Sequence, residues 1–285
     1  LKGGTFRMAG SMSLAGNTLT KANFSSVRLN RGDEAAVTVT RSKGGYDVNV
    51  NAKSLDLRSL LKRVLSNFEG AAAATGGETV RLQASIGSAT GFGGQSLQGV
   101  QASYVGRGSR ILSCNANAGT ESGGAIAVEN ADKDGRRTVL ISTTDGGALL
   151  RFLDIYDKMR GGSISIALAQ TGNGVLSGEV DAKNFTIVGE PRLKSLVGAP
   201  VTPDGQSVAK AGKIDASAVK FQQGFAQVQK GKGFLRLGDG ILRSEQMGLS
   251  YDGTLYDQNG RINMTGTFLP AYGLNRIFGE IPLIG

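Results

Sequence analysis

The sequence offers few side chains that could carry out chemistry. Its 285 residues include no histidine and a single cysteine, Cys114. A histidine-dependent triad, most transition-metal sites and an intrachain disulfide are therefore excluded. Cys114 lies in the strand-like stretch "RILSCNANA", where alternation predicts a small residue on a buried face. Asp154 and Asp157 could form a carboxylate pair, but Lys158 and Arg160 share their predicted helix, which indicates a solvated surface.

The glycine clusters do not match a nucleotide site. The stretches "GFGG", "GRGSR", "GKGF" and "GDG" lack the spacing of a phosphate-binding loop or a dinucleotide fingerprint, so they are predicted turns. A nucleophile elbow of the G-x-S-x-G type is also absent from the sequence. The formal charge of +9 would suit nucleic acid, anionic lipid or a polyanionic glycan, but the basic residues are scattered and are not interleaved with aromatic residues. We therefore expect no enzyme, no cofactor, no metal and no nucleic-acid partner.

Period-two alternation dominates the elements that would have to position a site. Apolar and polar residues alternate in "GGYDVNVNA", "TVRLQASIG", "GGSISIALA", "MGLSYDGTLYD" and "GRINMTGTF". Each segment is typical of a strand with one apolar and one polar face. Turns such as "SKGG", "QTGNG", "DKDGR" and "DQNGR" contain glycine and separate the segments. The pattern predicts an all-β protein with a long antiparallel meander.

Four segments depart from this alternation. We predict short helices at roughly 54–69, 146–160, 191–197 and 272–278, from the 3.6-residue spacing of their apolar residues. Ser54 and Asp145 are the predicted N-caps of the first two helices, Gly161 is the predicted end of the second, and Pro191 suits a first helical position. Residues 199–213 are predicted to form a surface loop.

Two arrangements of such strands are open: two facing sheets in a sandwich, or one curled sheet with an accessible apolar face. Aromatic residues make up only 6% of the chain and tryptophan is absent, which favours a groove lined by aliphatic side chains. The predicted lining residues of that groove are Val48, Val50, Leu82, Ile86, Ile164, Ile166, Leu168, Leu249, Tyr251, Leu255, Ile262 and Met264.

Three segments of the second half resemble, in order, motifs of the AsmA-like C-terminal region (the family of YhdP-like and TamB-like proteins). The first is "TDGGALLRFLDIYDKMRGGSISI", in which an aspartate-glycine turn leads into a leucine-arginine helix and then a strand. The second is "GEVDAKNFTIVGEPRLKSLV", a strand followed by a helix that begins with proline. The third is "MTGTFLPAYGLNRIFGEIPLIG", with a G-T-x-x-P-x-Y-x-x-N pattern. The resemblance covers 139–285, whereas 1–138 shares only the pattern of strands and glycine turns.

The resemblance implies an elongated, strongly curved antiparallel β-sheet that forms an open apolar groove, a β-taco. Residues 1–138 would form the N-terminal part of the groove with one inserted amphipathic helix. Residues 139–285 would be the family region, continuous with the same groove and truncated at its C-terminal end.

The function implied by the family is non-enzymatic lipid transfer. The groove would hold phospholipid acyl chains and conduct phospholipid through the periplasm between the inner and outer membranes of a Gram-negative bacterium. An inner-membrane anchor in the full-length parent and an outer-membrane or envelope protein partner are expected on the same grounds. The alternatives are an adhesin-like β-solenoid and a glycan-binding β-sandwich of the cell envelope. A solenoid would be favoured by a short regular repeat and a glycan site by exposed tryptophan, and neither feature is found in the sequence.

Overall fold

The protein is built almost entirely of β-strands, as the alternation predicts. The computed structural model describes residues 6–67, 77–108, 110–133, 136–171, 174–198, 215, 217–257 and 259–270. The strands are β1 (Arg7–Ala15), β2 (Thr18–Arg28), β3 (Glu34–Ser42), β4 (Gly45–Asp56), β5 (Thr79–Thr90), β6 (Ser96–Arg107), β7 (Arg110–Thr120), β8 (Ala125–Lys133), β9 (Arg136–Thr143), β10 (Met159–Gln170), β11 (Leu176–Val188), β12 (Ala218–Gly231), β13 (Phe234–Ser244), β14 (Met247–Tyr256) and β15 (Asn263–Pro270). The helices are α1 (Arg58–Asn67), α2 (Gly146–Phe152) and α3 (Pro191–Gly198). The prediction of an all-β fold is confirmed.

All fifteen strands form one sheet in which sequence order equals spatial order. The first and last strands do not pair with each other, so the sheet is open and not a closed barrel. The boundary at 138/139 falls inside β9, and the hydrogen-bonded ladder runs through it without interruption. The groove is therefore a single continuous sheet.

The pairing is antiparallel except between β4 and β5, which are parallel. The predicted uninterrupted meander is wrong at this point. The connection between these two strands contains α1 and returns the chain to the end of the sheet where β4 began. A parallel neighbour requires such a crossover, whereas an antiparallel neighbour requires only a turn.

The connections divide between two opposite rims of the sheet. The turns β1–β2, β3–β4, β6–β7, β8–β9, β10–β11, β12–β13 and β14–β15, together with the start of β5, form what we call the hairpin rim. All three helices lie at the other end of the strands, with the turns β2–β3, β5–β6, β7–β8 and β13–β14. We call this end the helix rim.

Two hydrophobic clusters pack beneath the helices. Leu149 and Phe152 of α2 belong to the first cluster, which extends over the apolar face of β2–β8. Leu193 and Val197 of α3 belong to the second cluster, with strands β10–β14. Leu150 packs against this second cluster, so α2 contacts both clusters and connects the two halves of the helix rim.

Helix α2 begins as predicted but is much shorter. The Asp145 carboxylate caps it by accepting a hydrogen bond from the backbone N–H of Ala148 at 3.0 Å. The predicted extension to residue 160 is wrong, because the chain leaves the helix after Phe152 and Asp154 adopts a positive φ of 59°. Asp154, Asp157, Lys158 and Arg160 therefore do not share a helix, and Gly161 lies within β10 and does not end one.

Helix α1 also begins later than predicted. Ser54 belongs to β4, which continues to Asp56, and its hydroxyl donates to the carbonyl of Gly32 at 2.6 Å. Helix α3 begins at Pro191 as predicted. The predicted loop at 199–213 and the predicted helix at 272–278 lie outside the described residues.

A buried carboxylate fixes the helix rim near β2 and β4. Asp33 is 2% exposed and accepts three backbone hydrogen bonds, from Leu29 at 3.0 Å, Asn30 at 2.7 Å and Asp56 at 2.8 Å. A buried carboxylate is tolerated when its oxygens are hydrogen-bonded in this way. The interaction joins the β2–β3 turn to the last residue of β4.

Candidate functional site: the apolar face of the sheet

The pairing register defines rows of side chains that cross the sheet on one face. Directly paired residues of neighbouring strands project to the same face, so each row can be followed from strand to strand. The central row takes one residue from each of the strands β2 to β12, and all eleven are apolar. Its members are Phe24, Val37, Val50, Ala84, Ala102, Ala116, Val128, Ile141, Ile166, Val180 and Ala226.

A second row lies one step closer to the hairpin rim and crosses every strand. This hairpin-side row comprises Met12, Ala22, Val39, Val48, Leu82, Tyr104, Cys114, Asn130, Val139, Leu168, Gly178, Val228, Leu237, Gly253 and Met264. Asn130 interrupts its apolar character, but that side chain is 4% exposed and accepts a hydrogen bond from Nε of Arg137 at 3.2 Å.

The helix-side row lies one step closer to the helix rim. Its first part comprises Met8, Val27, Ala35, Ala52, Ile86 and Val100. After a register shift between β6 and β7 it continues with Ala118, Ile126, Thr143, Ile164, Ala182, Gly224, Leu242, Leu249 and Phe268. The hydroxyl of Thr143 accepts from the backbone N–H of Asp145 at 3.0 Å, so this polar group is satisfied where α2 begins.

The other face of the sheet is polar. The row that alternates with the central and hairpin-side rows comprises Ser11, Asn23, Thr38, Asn49, Gln83, Ser103, Asn115, Glu129, Leu140, Ala167, Glu179, Gln227 and Gly238. The sheet therefore has one apolar and one solvated surface along its whole described length, as strand alternation requires.

Burial differs between the rows of the apolar face. In the helix-side row, Val27, Ile86, Val100, Ile126 and Ile164 are only 5–7% exposed, since the helices cover them. In the central row every residue from β2 to β11 is half-buried, and only Ala226 of β12 is fully buried. A sealed sandwich would bury the middle of each strand at least as deeply as its ends. The apolar face is therefore open along the centre of the strands.

Ten of the twelve predicted lining residues lie on this face. Val50 and Ile166 are in the central row, while Ile86, Ile164 and Leu249 are in the helix-side row. The hairpin-side row contains Val48, Leu82, Leu168 and Met264. Tyr251 pairs with Gly240, and its ring covers that glycine.

The other two predicted residues lie where alternation breaks. A register shift between β13 and β14 leaves Leu255 without a paired partner, and it is 37% exposed. Ile262 precedes β15, which starts at Asn263, and it is 58% exposed. The sequence pattern treats both as mid-strand residues on the apolar face because it contains no signal for the bulge or for the later start of β15.

Aromatic rings on this face lie flat against glycines. The ring of Tyr104 occupies the space where a Cβ of Gly106 would be, and the ring of Tyr251 does the same over Gly240. Burial raises the pKa of Tyr104, of Tyr251 and of the Cys114 thiol, which pairs with Tyr104. These groups therefore stay neutral at neutral pH. Cys114 lies on the apolar face but is half-buried, whereas the alternation predicted a buried position.

Three basic side chains, which the sequence analysis did not identify, lie on the same face at the hairpin rim. Arg41, Arg137 and Lys230 each follow or precede a member of the hairpin-side row by two residues. A two-residue step along a strand keeps the same face and covers about 7 Å. The apolar face thus ends in cationic groups on this side.

Each of the three cations is held by a neighbour. Nη1 of Arg41 donates to the hydroxyl of Tyr46 at 2.7 Å, and the same guanidinium forms an ion pair with Glu78 at 2.5 Å. Nζ of Lys230 lies 5.4 Å from the centre of the Tyr256 ring. Desolvation lowers the pKa of Arg137, whose guanidinium is partly buried.

The two rims also differ in charge. Counted over the described connections and the two adjoining residues of each strand, the hairpin rim contains ten basic and three acidic residues. These are Arg41, Lys43, Arg107, Arg110, Lys133, Arg136, Arg137, Lys230, Lys232 and Arg261, with Glu78, Asp132 and Asp257. The helix rim contains twelve basic and ten acidic residues. These are Arg7, Arg28, Arg31, Arg58, Lys62, Arg63, Arg151, Lys158, Arg160, Arg192, Lys194 and Arg243, with Asp33, Glu34, Asp56, Glu121, Asp145, Asp154, Asp157, Glu190, Asp215 and Glu245.

Three other features could indicate a function: a metal site, a membrane-spanning helix and a separate pocket. In the described part of the chain, no group of three or more His, Cys, Asp or Glu residues could hold a metal ion. The same part contains no helix that is long and apolar enough to cross a membrane. A shallow depression of about 560 Å³ is lined by Asn117, Ser142, Ser165 and Asp181, among others. These four residues project from the polar face, whereas Ile126 and Ile164, which also line the depression, belong to the helix-side row.

Comparisons of this chain with protein-family models, with curated proteins and with solved structures gave no match. The geometry of the apolar face and the charge of the two rims are therefore the features that bear on function.

Proposed function

We propose that this protein is a non-enzymatic lipid-transfer segment that conducts phospholipid along the apolar groove of its sheet. Acyl chains would lie on the central and hairpin-side rows, and the polar headgroup would stay in water. The setting we propose is the periplasm of a Gram-negative bacterium, as part of an AsmA-like protein with an inner-membrane anchor. The motifs that carry this resemblance lie on described elements: the first spans α2 and β10, the second β11 and α3, and the third begins in β15.

The observation that carries the proposal is the unbroken central row. Its eleven apolar residues span ten strand spacings, or about 48 Å at about 4.8 Å per spacing. Ten of these residues are only half-buried, and a continuous apolar surface of this extent is unusual in a soluble domain. Such a surface needs an apolar occupant.

A groove that conducts lipid, and does not only store it, must bind an acyl chain with similar energy on each successive strand. Burying one methylene group stabilises a bound chain by about 0.8 kcal/mol, so a whole acyl chain binds strongly to such a surface. Because each strand from β3 to β12 presents an aliphatic side chain in this row, an acyl chain that moves by one strand loses and regains similar contacts. The central row contains no charged side chain that the acyl chains would have to pass.

Site-specific photo-crosslinking tests the proposal. A photoreactive residue at Ile166 or Val50 should capture phospholipid in cells that express the protein, with the lipid identified by mass spectrometry. The matched controls Ser165 and Asn49 are the neighbouring residues that project to the opposite face and are exposed. They should capture little or none. Equal capture by both sets would show that the apolar rows are not the lipid site, and capture by neither would argue against lipid binding altogether.

A further inference from the structure

The charge asymmetry of the two rims is independent of the apolar rows and points to the polar part of a ligand. The hairpin rim has seven more basic than acidic residues among those described, whereas the helix rim has two more. The sheet therefore presents one strongly cationic and one nearly neutral rim, parallel to each other along the whole groove. Such a stripe favours negatively charged partners.

The cationic rim is placed where a lipid phosphate would be. Arg41, Arg137 and Lys230 lie one same-face step, about 7 Å, from the apolar residues Val39, Val139 and Val228. A lipid with acyl chains on the hairpin-side row would bring its phosphate to this position. Further exposed cations at Lys43 and Lys232 lie in the adjoining turns and form no ion pair with a described residue.

The helix rim is less able to hold a headgroup. Its helices cover the apolar face there, and two of its basic groups near those helices are engaged within the protein. Arg151 donates to the carbonyl of Met159 at 2.7 Å and to Gln95 at 3.2 Å, and Arg58 forms an ion pair with Asp56 at 2.5 Å. A headgroup at this rim would also meet a nearly equal number of carboxylates.

We infer that the hairpin rim binds the phosphate headgroups of lipids held in the groove, and that the groove consequently prefers anionic phospholipids to zwitterionic ones. This inference rests on the proposed function, because the headgroup is placed by acyl chains on the apolar rows. Each exposed charge contact contributes little by itself, so the preference arises from several cations acting together. Because these contacts are at the surface, salt should weaken the preference.

Lipid binding by the purified chain tests the inference. The probes are fluorescently labelled phosphatidylglycerol and phosphatidylcholine with identical acyl chains, titrated at low and high salt. We expect phosphatidylglycerol to bind roughly three- to tenfold more tightly at low salt, which matches a few weak surface contacts. High salt should bring the two affinities together.

Two matched triple variants identify which rim causes the preference for anionic phospholipid. Neutralisation of the hairpin rim by Lys43→Gln, Lys230→Gln and Lys232→Gln should abolish the preference, because phosphatidylglycerol affinity falls more than phosphatidylcholine affinity. Neutralisation of the helix rim by Arg31→Gln, Arg192→Gln and Lys194→Gln removes the same total charge from exposed positions and should leave the preference intact. Thermal melting of both variants confirms that they are folded.

The outcomes separate the inference from the function on which it rests. Equal affinities for the two lipids, or the same loss in both triple variants, would overturn the inference and leave lipid binding in place. Binding of neither lipid would overturn the proposed function and the inference together. Glycerol 3-phosphate should bind far more weakly than either lipid. If it binds as tightly as phosphatidylglycerol, the rim is a site for soluble phosphate esters and the inference is wrong.

Discussion

The two rims are formed by opposite ends of the same strands, but they differ in burial and in charge. At the helix rim, Val219, Phe221 and Met247 are at most 1% exposed beneath or beside α3. At the hairpin rim the strands end in short turns, and the same face carries half-buried cations such as Arg41 and Lys230. The difference indicates a division of roles along each strand: the helix end supplies most of the packed core, while the middle is half-buried and the hairpin end combines buried residues such as Val139 and Val228 with basic side chains.

A lysine substitution at the buried helix rim and one in the open central row should give the largest difference in the free energy of unfolding. Val219 is fully buried at the helix rim, so Val219→Lys places an amine in a closed core and should cost more than about 4 kcal/mol, which most domains do not survive. Ile166 is half-buried in the open central row, so the amine of Ile166→Lys can reach water along its flexible stem and should cost less than about 2 kcal/mol. Urea denaturation measures both values.

The two lysine variants, Val219→Lys and Ile166→Lys, also distinguish an open groove from a sealed one. Ile166→Lys should stay folded but lose lipid capture and, in a complementation assay with the full-length parent, lose outer-membrane integrity. If Ile166→Lys aggregates or is degraded as Val219→Lys is, the central row is a closed core and the comparison between the rims fails.

A smaller loss of stability is expected from a substitution at the contact between α2 and β10. A Cβ at residue 147 would lie 2.7 Å from the carbonyl oxygen of Met159 and 2.9 Å from the backbone nitrogen of Gly161, so Gly147→Ala forces the helix away from the strand. We expect a loss of about 1–2 kcal/mol, since the clash exceeds the gain in helix propensity.

The matched control is Gly32→Ala, also at the helix rim. A Cβ there would contact nothing within 4 Å, and Gly32 does not have a positive φ. This variant should be neutral or slightly stabilising. Equal melting temperatures for the two alanine variants would show that close packing of α2 on β10 does not contribute to the helix rim.

Much of the fold could be predicted from period-two alternation, because every strand has one solvated face. The parallel pairing of β4 with β5 could not, since alternation is identical in parallel and antiparallel strands of this kind. The length of α2 was also overestimated. Leu153 and Tyr156 continue the helical spacing, but the chain turns at Asp154, and the N–H of Ile155 donates to the carbonyl of Leu150 at 2.9 Å.

The apolar rows could be predicted from the sequence, whereas the cationic rim could not. The apolar residues recur locally, so ten of the predicted lining residues could be placed on one apolar face from neighbouring residues alone. The basic residues are scattered in the sequence, and only the topology shows that most hairpin turns meet at one rim. The signal that could have found them is the repeated occurrence of Lys or Arg in turns such as "RSKGG" and "KGKG".

The smallest effect that we predict depends on pH and is confined to the helix rim. The hydroxyl of Tyr156 donates to the Glu190 carboxylate at 2.8 Å, and burial together with this bond raises the pKa of Tyr156 well above its ordinary value. Below about pH 9 the tyrosine is protonated in both folded and unfolded chains, so Tyr156→Phe should cost only the hydrogen bond, about 1 kcal/mol. Above the unfolded pKa of about 10, Tyr156 ionises in the unfolded chain while the folded chain keeps its proton, so the wild type loses stability through this residue in addition to the loss that it shares with Tyr156→Phe through its other buried tyrosines. Since Tyr156 is partly exposed, we expect this loss to be about 1 kcal/mol at pH 11, enough to bring the two urea midpoints together. A stability difference between wild type and variant that stays constant from pH 8 to pH 11 would show that Tyr156 is not held in its protonated form by Glu190.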